Sequence, residues 1–187
     1  MRSLFIDTHT NQMVLALYEN QKLKTKKELE ENYNNSAICM PKIIEILAEN
    51  NITIHDIDEI IVINGPGSFT GIRIGVTIAK TLAYTLNIPI KTLTSFEMYK
   101  IAEKESHYLV LSEKNGFYIA YFDEKNKDIK DYSYLTKTEF EQWKNQNKWQ
   151  LCSEINYEHI IAVASSKPSE NCHGIKPLYI KKIEVEK

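Results

Sequence analysis

A chain of 187 residues is long enough for one large domain or two small ones, each with its own core. Lysine and arginine total 23 against 25 aspartates and glutamates, a net charge of −2 with no basic block, so the chain lacks the electrostatic footprint of a protein that grips nucleic acid alone. A hydrophobic fraction of 43% with no apolar run near 18 residues excludes a membrane-spanning helix and fits an ordinary soluble protein.

Cys39, Cys152 and Cys172 are odd in number, widely spaced and form no CxxC, which points to a reduced cytoplasmic protein rather than a disulfide scaffold. Met1-Arg2-Ser3-Leu4-Phe5-Ile6 meets Asp7 after three apolar residues, too short a run for a signal peptide. Only two arginines occur, Arg2 and Arg73.

Leu4 to Thr8, Met13 to Tyr18 and Lys22 to Glu28 read as three strands joined by short polar turns. The period then changes. Ala37, Met40, Ile44, Leu47 and Ala48 recur at helical spacing behind a candidate N-cap at Ser36, with Pro41 inside the helix at the cost of one hydrogen bond. Ile60 to Asn64 reads as a strand, Thr70 to Leu86 as a helix, Ile90 to Leu93 as a strand, and Ser95 to Glu103 as a helix capped by Ser95.

The order β-β-β-α-β-α-β-α is that of the ribonuclease H-like fold. Tyr108 to Leu111, Phe117 to Phe122 and Lys130 to Leu135 then open a second meander, followed by a short helix over Glu139 to Gln146 and a short strand over Trp149 to Cys152. A truncated repeat of one unit is the plan of the actin/Hsp70/sugar-kinase superfamily. The chain is therefore expected to be α/β, with an N-terminal lobe over residues 1–104 and a reduced C-terminal lobe over 105–187. Tyr157 to Ser166 is ambiguous between helix and strand, Leu178 to Ile183 reads as a last strand, and Lys181-Lys182 as a solvated end.

Four of the six glycines fall between Asn64 and Gly75, in NGPGSFTGIRIG. This is not a P-loop, since no Lys-Ser/Thr pair follows. It is also one residue too long for GxGxxG. Backbone N–H groups at the helix start, around Gly67, Ser68 and Thr70, could still hold an anion. Asp7 ends the first strand, where kinases of this superfamily place an acid on magnesium-bound nucleotide; with Thr8 it is the other candidate contact. The alternative is that Asp7 and Thr8 only bond their own hairpin turn.

Beyond the turn, Gly71, Gly75, Ala79 and Ala83 stand four residues apart and so share one helix face. Arg73, Thr77, Lys80, Thr81 and Tyr84 form a polar stripe, and most of the rest is apolar, as in a helix buried on two sides. Glycine inside a helix costs about 1 kcal/mol relative to alanine, and close packing is a reason to accept that cost. The approaching element could belong to the same domain or to a second chain.

Gly65-Pro66-Gly67-Ser68-Phe69-Thr70-Gly71-Ile72-Arg73-Ile74-Gly75 closely resembles, without a gap, the signature of the TsaB (YeaZ) family. Ile6-Asp7-Thr8-His9-Thr10 resembles the family's opening I-D-T-S-T, Asn35-Ser36 through Pro41 its H-S-x(4)-P helix, and Pro177-Leu178-Tyr179-Ile180-Lys181 its closing P-x-Y-L-R. His9 stands where the family has serine, Asn35 where histidine is usual, and Leu111-Ser112-Glu113 where an aspartate-led D-A-R is usual. The resemblance implies two ribonuclease H-like lobes, the second reduced. It implies a non-catalytic subunit, without cofactor, in formation of N6-threonylcarbamoyladenosine at position 37 of tRNA. The implied partner is a TsaD-type catalytic subunit, held through N-terminal lobe helices that carry Ile38, Pro41, Gly71, Arg73, Gly75, Ala79 and Ala83. A TsaE-type ATPase would join the larger complex, tRNA would bind only through that complex, and a homodimer is possible when the chain is alone.

Two enzymatic readings compete. One is a small ATP-dependent phosphotransferase using Asp7 and the Gly65–Gly71 turn. The other is a peptidase, for which the metal ligands are missing: the five histidines are never closer than fourteen residues, and neither HExxH nor HxxxH occurs. Ser68 lies outside any GxSxG, and Cys39 reads as packing rather than as a nucleophile.

Overall fold

The computed structural model describes residues 1–29, 35–101, 105–125 and 128–180. The chain divides into two compact units: Met1–Ser95 with Tyr157–Leu178, and Phe96–Asn156 with the tail from Tyr179.

In the first unit, apolar runs make β1 (Arg2–Asp7), β2 (Met13–Glu19) and β4 (Glu59–Gly65), and shorter or more polar segments make β3 (Lys22–Leu29) and β5 (Ile90–Thr94). They form one sheet in the order β3-β2-β1-β4-β5. β1 runs antiparallel to β2, with Leu4 opposite Leu17 and Ile6 opposite Leu15; it runs parallel to β4, with Leu4 beside Ile60 and Ile6 beside Val62. Parallel neighbours need long crossovers, and α1 (Asn35–Glu49) and α2 (Phe69–Leu86) supply them. This is the ribonuclease H-like arrangement that the element order predicts.

One sheet face carries Leu4, Ile6, Leu15, Leu17, Ile60 and Val62, which join Cys39, Ile43 and Ile46 of α1 and Ile72, Val76 and Ala79 of α2 in a single core. The intervening residues Phe5, Ala16 and Ile61 are equally buried, so the other face is covered too. There α4 (Tyr157–Ser166) packs against β3 and β5. Tyr18 donates its hydroxyl to the Tyr157 carbonyl at 2.9 Å, and Tyr157 donates its own to Glu28 Oε1 at 2.6 Å. Edge strand β3 is largely exposed and lysine-rich, which guards it against pairing with another sheet.

The second unit repeats the opening of the first and stops short. β6 (His107–Glu113), β7 (Gly116–Asp123), β8 (Asp128–Thr136) and β9 (Trp149–Leu151) lie in the order β8-β7-β6-β9, with β9 parallel to β6. Helix α3 (Lys137–Trp143) starts in a capping box between Thr136 and Glu139. It brings Phe140 and Trp143 onto Val110, Phe117, Ile119, Leu135 and Trp149.

Several expectations are corrected. Tyr157–Ser166 is a helix, and it belongs to the first unit, so the division is not a single cut between residues 104 and 105. The helix expected from Ser95 is only a 3-10 turn, Ser95–Met98. Ser95 donates its hydroxyl to the Pro66 carbonyl at 2.5 Å rather than capping a helix, and Tyr99 bridges to Ile155. The end of that expected helix at Glu103 lies outside the described residues. Leu178 to Ile180 form no strand; Leu178 makes one backbone bond, donating to the Asn64 carbonyl at 2.7 Å. Lys181 to Ile183 lie outside the described residues. Helix α1 begins at Asn35, which puts Ser36 inside its first turn.

Candidate functional site

Two surfaces of the first unit gather the residues singled out in the sequence: the junction between the β1–β2 hairpin and the glycine turn, and the outer side of α1 and α2.

At the junction, residues Thr8 and His9 lie flat on the glycine turn. The His9 carbonyl accepts from Ser68 N at 2.6 Å, and Thr8 Oγ1 donates to the Gly71 carbonyl at 2.7 Å. Ser68 is the N-cap of α2, its Oγ accepting from Gly71 N at 3.2 Å. A Cβ on Gly71 would stand 2.0 Å from Thr8 O, and one on Gly75 2.4 Å from Thr8 Oγ1. The glycines are required by a close approach, and the approaching residue is Thr8, just past the end of strand β1 of the same unit. Ala79 and Ala83 are buried in the same core. The expectation that Gly71, Gly75, Ala79 and Ala83 face a second chain is thereby corrected: their face is filled from within.

Asp7 is 1% exposed, and its Oδ1 accepts both from His9 N and from His9 Nδ1, each at 2.8 Å. Asp7, Thr8, Gly67 and Ser68 do come together, but each is engaged with the hairpin or the turn itself. Thr70, in the first turn of α2, is exposed.

The outer surface differs from the expected pattern on α1. The side facing the sheet is Cys39, Ile43, Ile46 and Leu47, with Ile38 and Met40 half-buried against the core. Ala37, Pro41, Ile44 and Ala48 are exposed, Ile44 by 48%. The helix has more apolar residues than one face can hold, and the sequence stripe mixed the two sides. The exposed four are spaced 4, 3 and 4, the seam spacing of helices that pack on other helices. Beside it α2 exposes Thr70, Arg73, Thr77, Thr81 and Tyr84, with Ile74 and Ile78 half-buried at their flank. Arg73 stacks over the Phe69 ring at 3.7 Å. Tyr84, 66% exposed, meets His173 edge-on at 5.1 Å, and Lys80 donates to the Ile175 carbonyl at 3.0 Å. The exposure of Ile44 was the signal missed; its spacing from Ala37 and Pro41 could have revealed it.

Elsewhere the chemistry is quiet. Burial pushes the Cys39 thiol up to about 11, so it is not a thiolate at neutral pH. Glu113, at the D-A-R position, accepts from Tyr134 Oη at 3.2 Å and from Asn115 N at 3.1 Å. Among the described residues no three His, Cys, Asp or Glu side chains are placed to hold a metal ion, and no helix is long and apolar enough to cross a membrane.

The family model described as TsaD, tRNA N6-adenosine threonylcarbamoyltransferase, matches residues 9–148. A Bacillus subtilis protein, tRNA threonylcarbamoyladenosine biosynthesis protein TsaB, is 38% identical over 97 residues, covering 52% of this chain and 42% of that protein. A Haemophilus influenzae protein of the same name is 30% identical over 155 residues, covering 80% of this chain and 63% of that one. These matches thus span less than two thirds of the relatives' own lengths. The crystal structure of a Pseudomonas aeruginosa protein with similarity to peptidase YeaZ superposes with a TM-score of 0.77 at 14% identity, over 96% of this chain and 99% of that one, and shares its fold.

Proposed function

The chain belongs to the tRNA N6-adenosine threonylcarbamoyltransferase family, on its TsaB branch, and from that premise we propose that it is a non-catalytic activating subunit in forming N6-threonylcarbamoyladenosine at position 37 of tRNA. It docks a TsaD-type catalytic subunit on the outer side of α1 and α2. The observation that carries this reading is the exposed seam Ala37-Pro41-Ile44-Ala48, apolar and helix-spaced on a helix whose opposite side already fills the core. Helix α2, which contacts α1, presents the exposed polar residues Arg73, Thr77 and Thr81. A TsaE-type ATPase joins the larger complex in the cytoplasm, and the same seam can meet a second copy of itself when the catalytic subunit is absent.

The absence of chemistry in this subunit is supported by the junction, where Asp7, Thr8 and Ser68 are bonded to neighbours and Cys39 is held as a thiol. A net charge of −2 leaves tRNA to be bound by the assembly rather than by this chain. Reconstitution tests the reading. Threonylcarbamoyl transfer to tRNA by the catalytic subunit should require this chain, while the chain alone should neither hydrolyse ATP nor cleave peptides. ATP turnover by the isolated chain that disappears in Asp7→Ala would favour the phosphotransferase reading instead.

A further inference from the structure

An acid at the end of the first strand, facing a glycine turn, is where this superfamily's kinases hold magnesium-bound nucleotide. The residues of this chain do not fit that group. Asp7 is buried, and its Oδ1 is already taken by two donors from His9. His9, itself 4% exposed, lies directly over the turn: a Cβ on Gly67 would stand 2.3 Å from His9 O, 2.9 Å from its Cβ and 3.0 Å from its Cδ2. The backbone donors that would meet a phosphate are also used, Ser68 N by the His9 carbonyl and Gly71 N by Ser68 Oγ.

We propose that His9 is a built-in occupant of this site, an imidazole and its carbonyl standing where a hydrated divalent cation and a phosphate would otherwise meet Asp7 and the glycine turn. The acid is kept; the imidazole closes the cation's place beside it, while the His9 carbonyl and the Ser68 hydroxyl take the backbone donors of the turn. Nδ1 of His9 and Oδ1 of Asp7 stand 2.8 Å apart, so one proton lies between them. Removing the imidazole leaves a buried carboxylate with an imidazole-sized space beside it. A carboxylate with room for waters is the ligand set that small divalent cations take.

The test uses the full chain with Mn2+ as the probe and involves no partner subunit, so it stands apart from the docking reading. In the wild-type protein the Nδ1 proton of His9 should exchange slowly, and its NMR resonance should not broaden as Mn2+ is raised into the millimolar range. In His9→Gly, one Mn2+ should bind about ten-fold or more tighter than to wild type, followed by electron paramagnetic resonance. The gain should vanish in the double variant Asp7→Asn/His9→Gly. Broadening of the wild-type His9 resonance at low Mn2+ overturns the proposal, because the site is then open. A folded His9→Gly that binds Mn2+ no better than wild type overturns it as well. Should His9→Gly fail to fold, the wild-type resonance alone decides between the two outcomes.

Discussion

The two sides of α2 are built from different residues for different ends. The inner side is Gly71 and Gly75, bare so that Thr8, just past strand β1, can press against the helix axis, and Ala79 and Ala83, small residues within the core. The outer side is Arg73, Thr77, Thr81 and Tyr84, exposed and hydroxyl-rich. Small residues at regular spacing report that something comes close; they do not say whether it comes from the same chain. Exposed apolar residues at seam spacing are the better sign of a partner, because burial within the chain cannot account for them.

Substitutions on the two sides should therefore fail differently. Gly71→Ala is expected to do most damage, since its Cβ would stand 2.0 Å from a backbone carbonyl that cannot move without dragging the hairpin. A loss of about 3 kcal/mol or more, or failure to fold, should appear in urea denaturation. Gly75→Leu should behave alike, and a folded, fully stable Gly75→Leu would show that the inner side is not closed.

Neighbours on α1 sharpen the contrast. Ile43→Ala should cost about 2–5 kcal/mol by opening a cavity in the core. Ile44→Ala, one residue on and 48% exposed, should stay within about 0.5 kcal/mol of wild type by the same measurement. Equal losses at the two sites would contradict the assignment of sides.

The opposite face of the sheet predicts a pH effect. Burial first, then the Glu28 carboxylate, raises the Tyr157 hydroxyl above its ordinary 10.0, and burial raises Tyr18 in the same direction. Both pKa values are higher folded than unfolded. Their contribution is therefore fully present below pH 10 and is lost as pH rises beyond it toward the folded values. Denaturation midpoints should begin to fall as pH passes 10.0 and keep falling above it, and Tyr157→Phe should flatten that fall. The smallest effect is expected at Tyr84→Ala, where 66% exposure leaves little packing to lose; a change within about 0.5 kcal/mol is predicted.

Most of the first sheet was legible because β1, β2 and β4 are apolar runs whose turns are short and polar, and α2 because its glycine turn is so distinctive. Helix α1 was legible as a helix but not as a pair of faces. Its apolar residues, from Ala37 to Ala48, satisfy more than one stripe, and only the packing of Ile43 and Ile46 on the sheet chooses between them. The placement of α4 was invisible, since its contacts with Tyr18 and β5 lie more than sixty residues away in sequence. At the junction, the sequence presents Asp7 and His9 two residues apart, on one side of a turning strand; that spacing could have suggested their bond, but the fit of His9 over Gly67 depends on tertiary approach.

The most direct measurement of the docking claim is the affinity of Ile44→Asp for the TsaD-type subunit, read by isothermal titration calorimetry beside a thermal melt of the variant alone. A charge in the middle of the seam should weaken binding by about 2 kcal/mol or more, roughly thirty-fold, while the melt stays at the wild-type temperature. A folded Ile44→Asp that binds as tightly as wild type would contradict the account and place the partner on another surface.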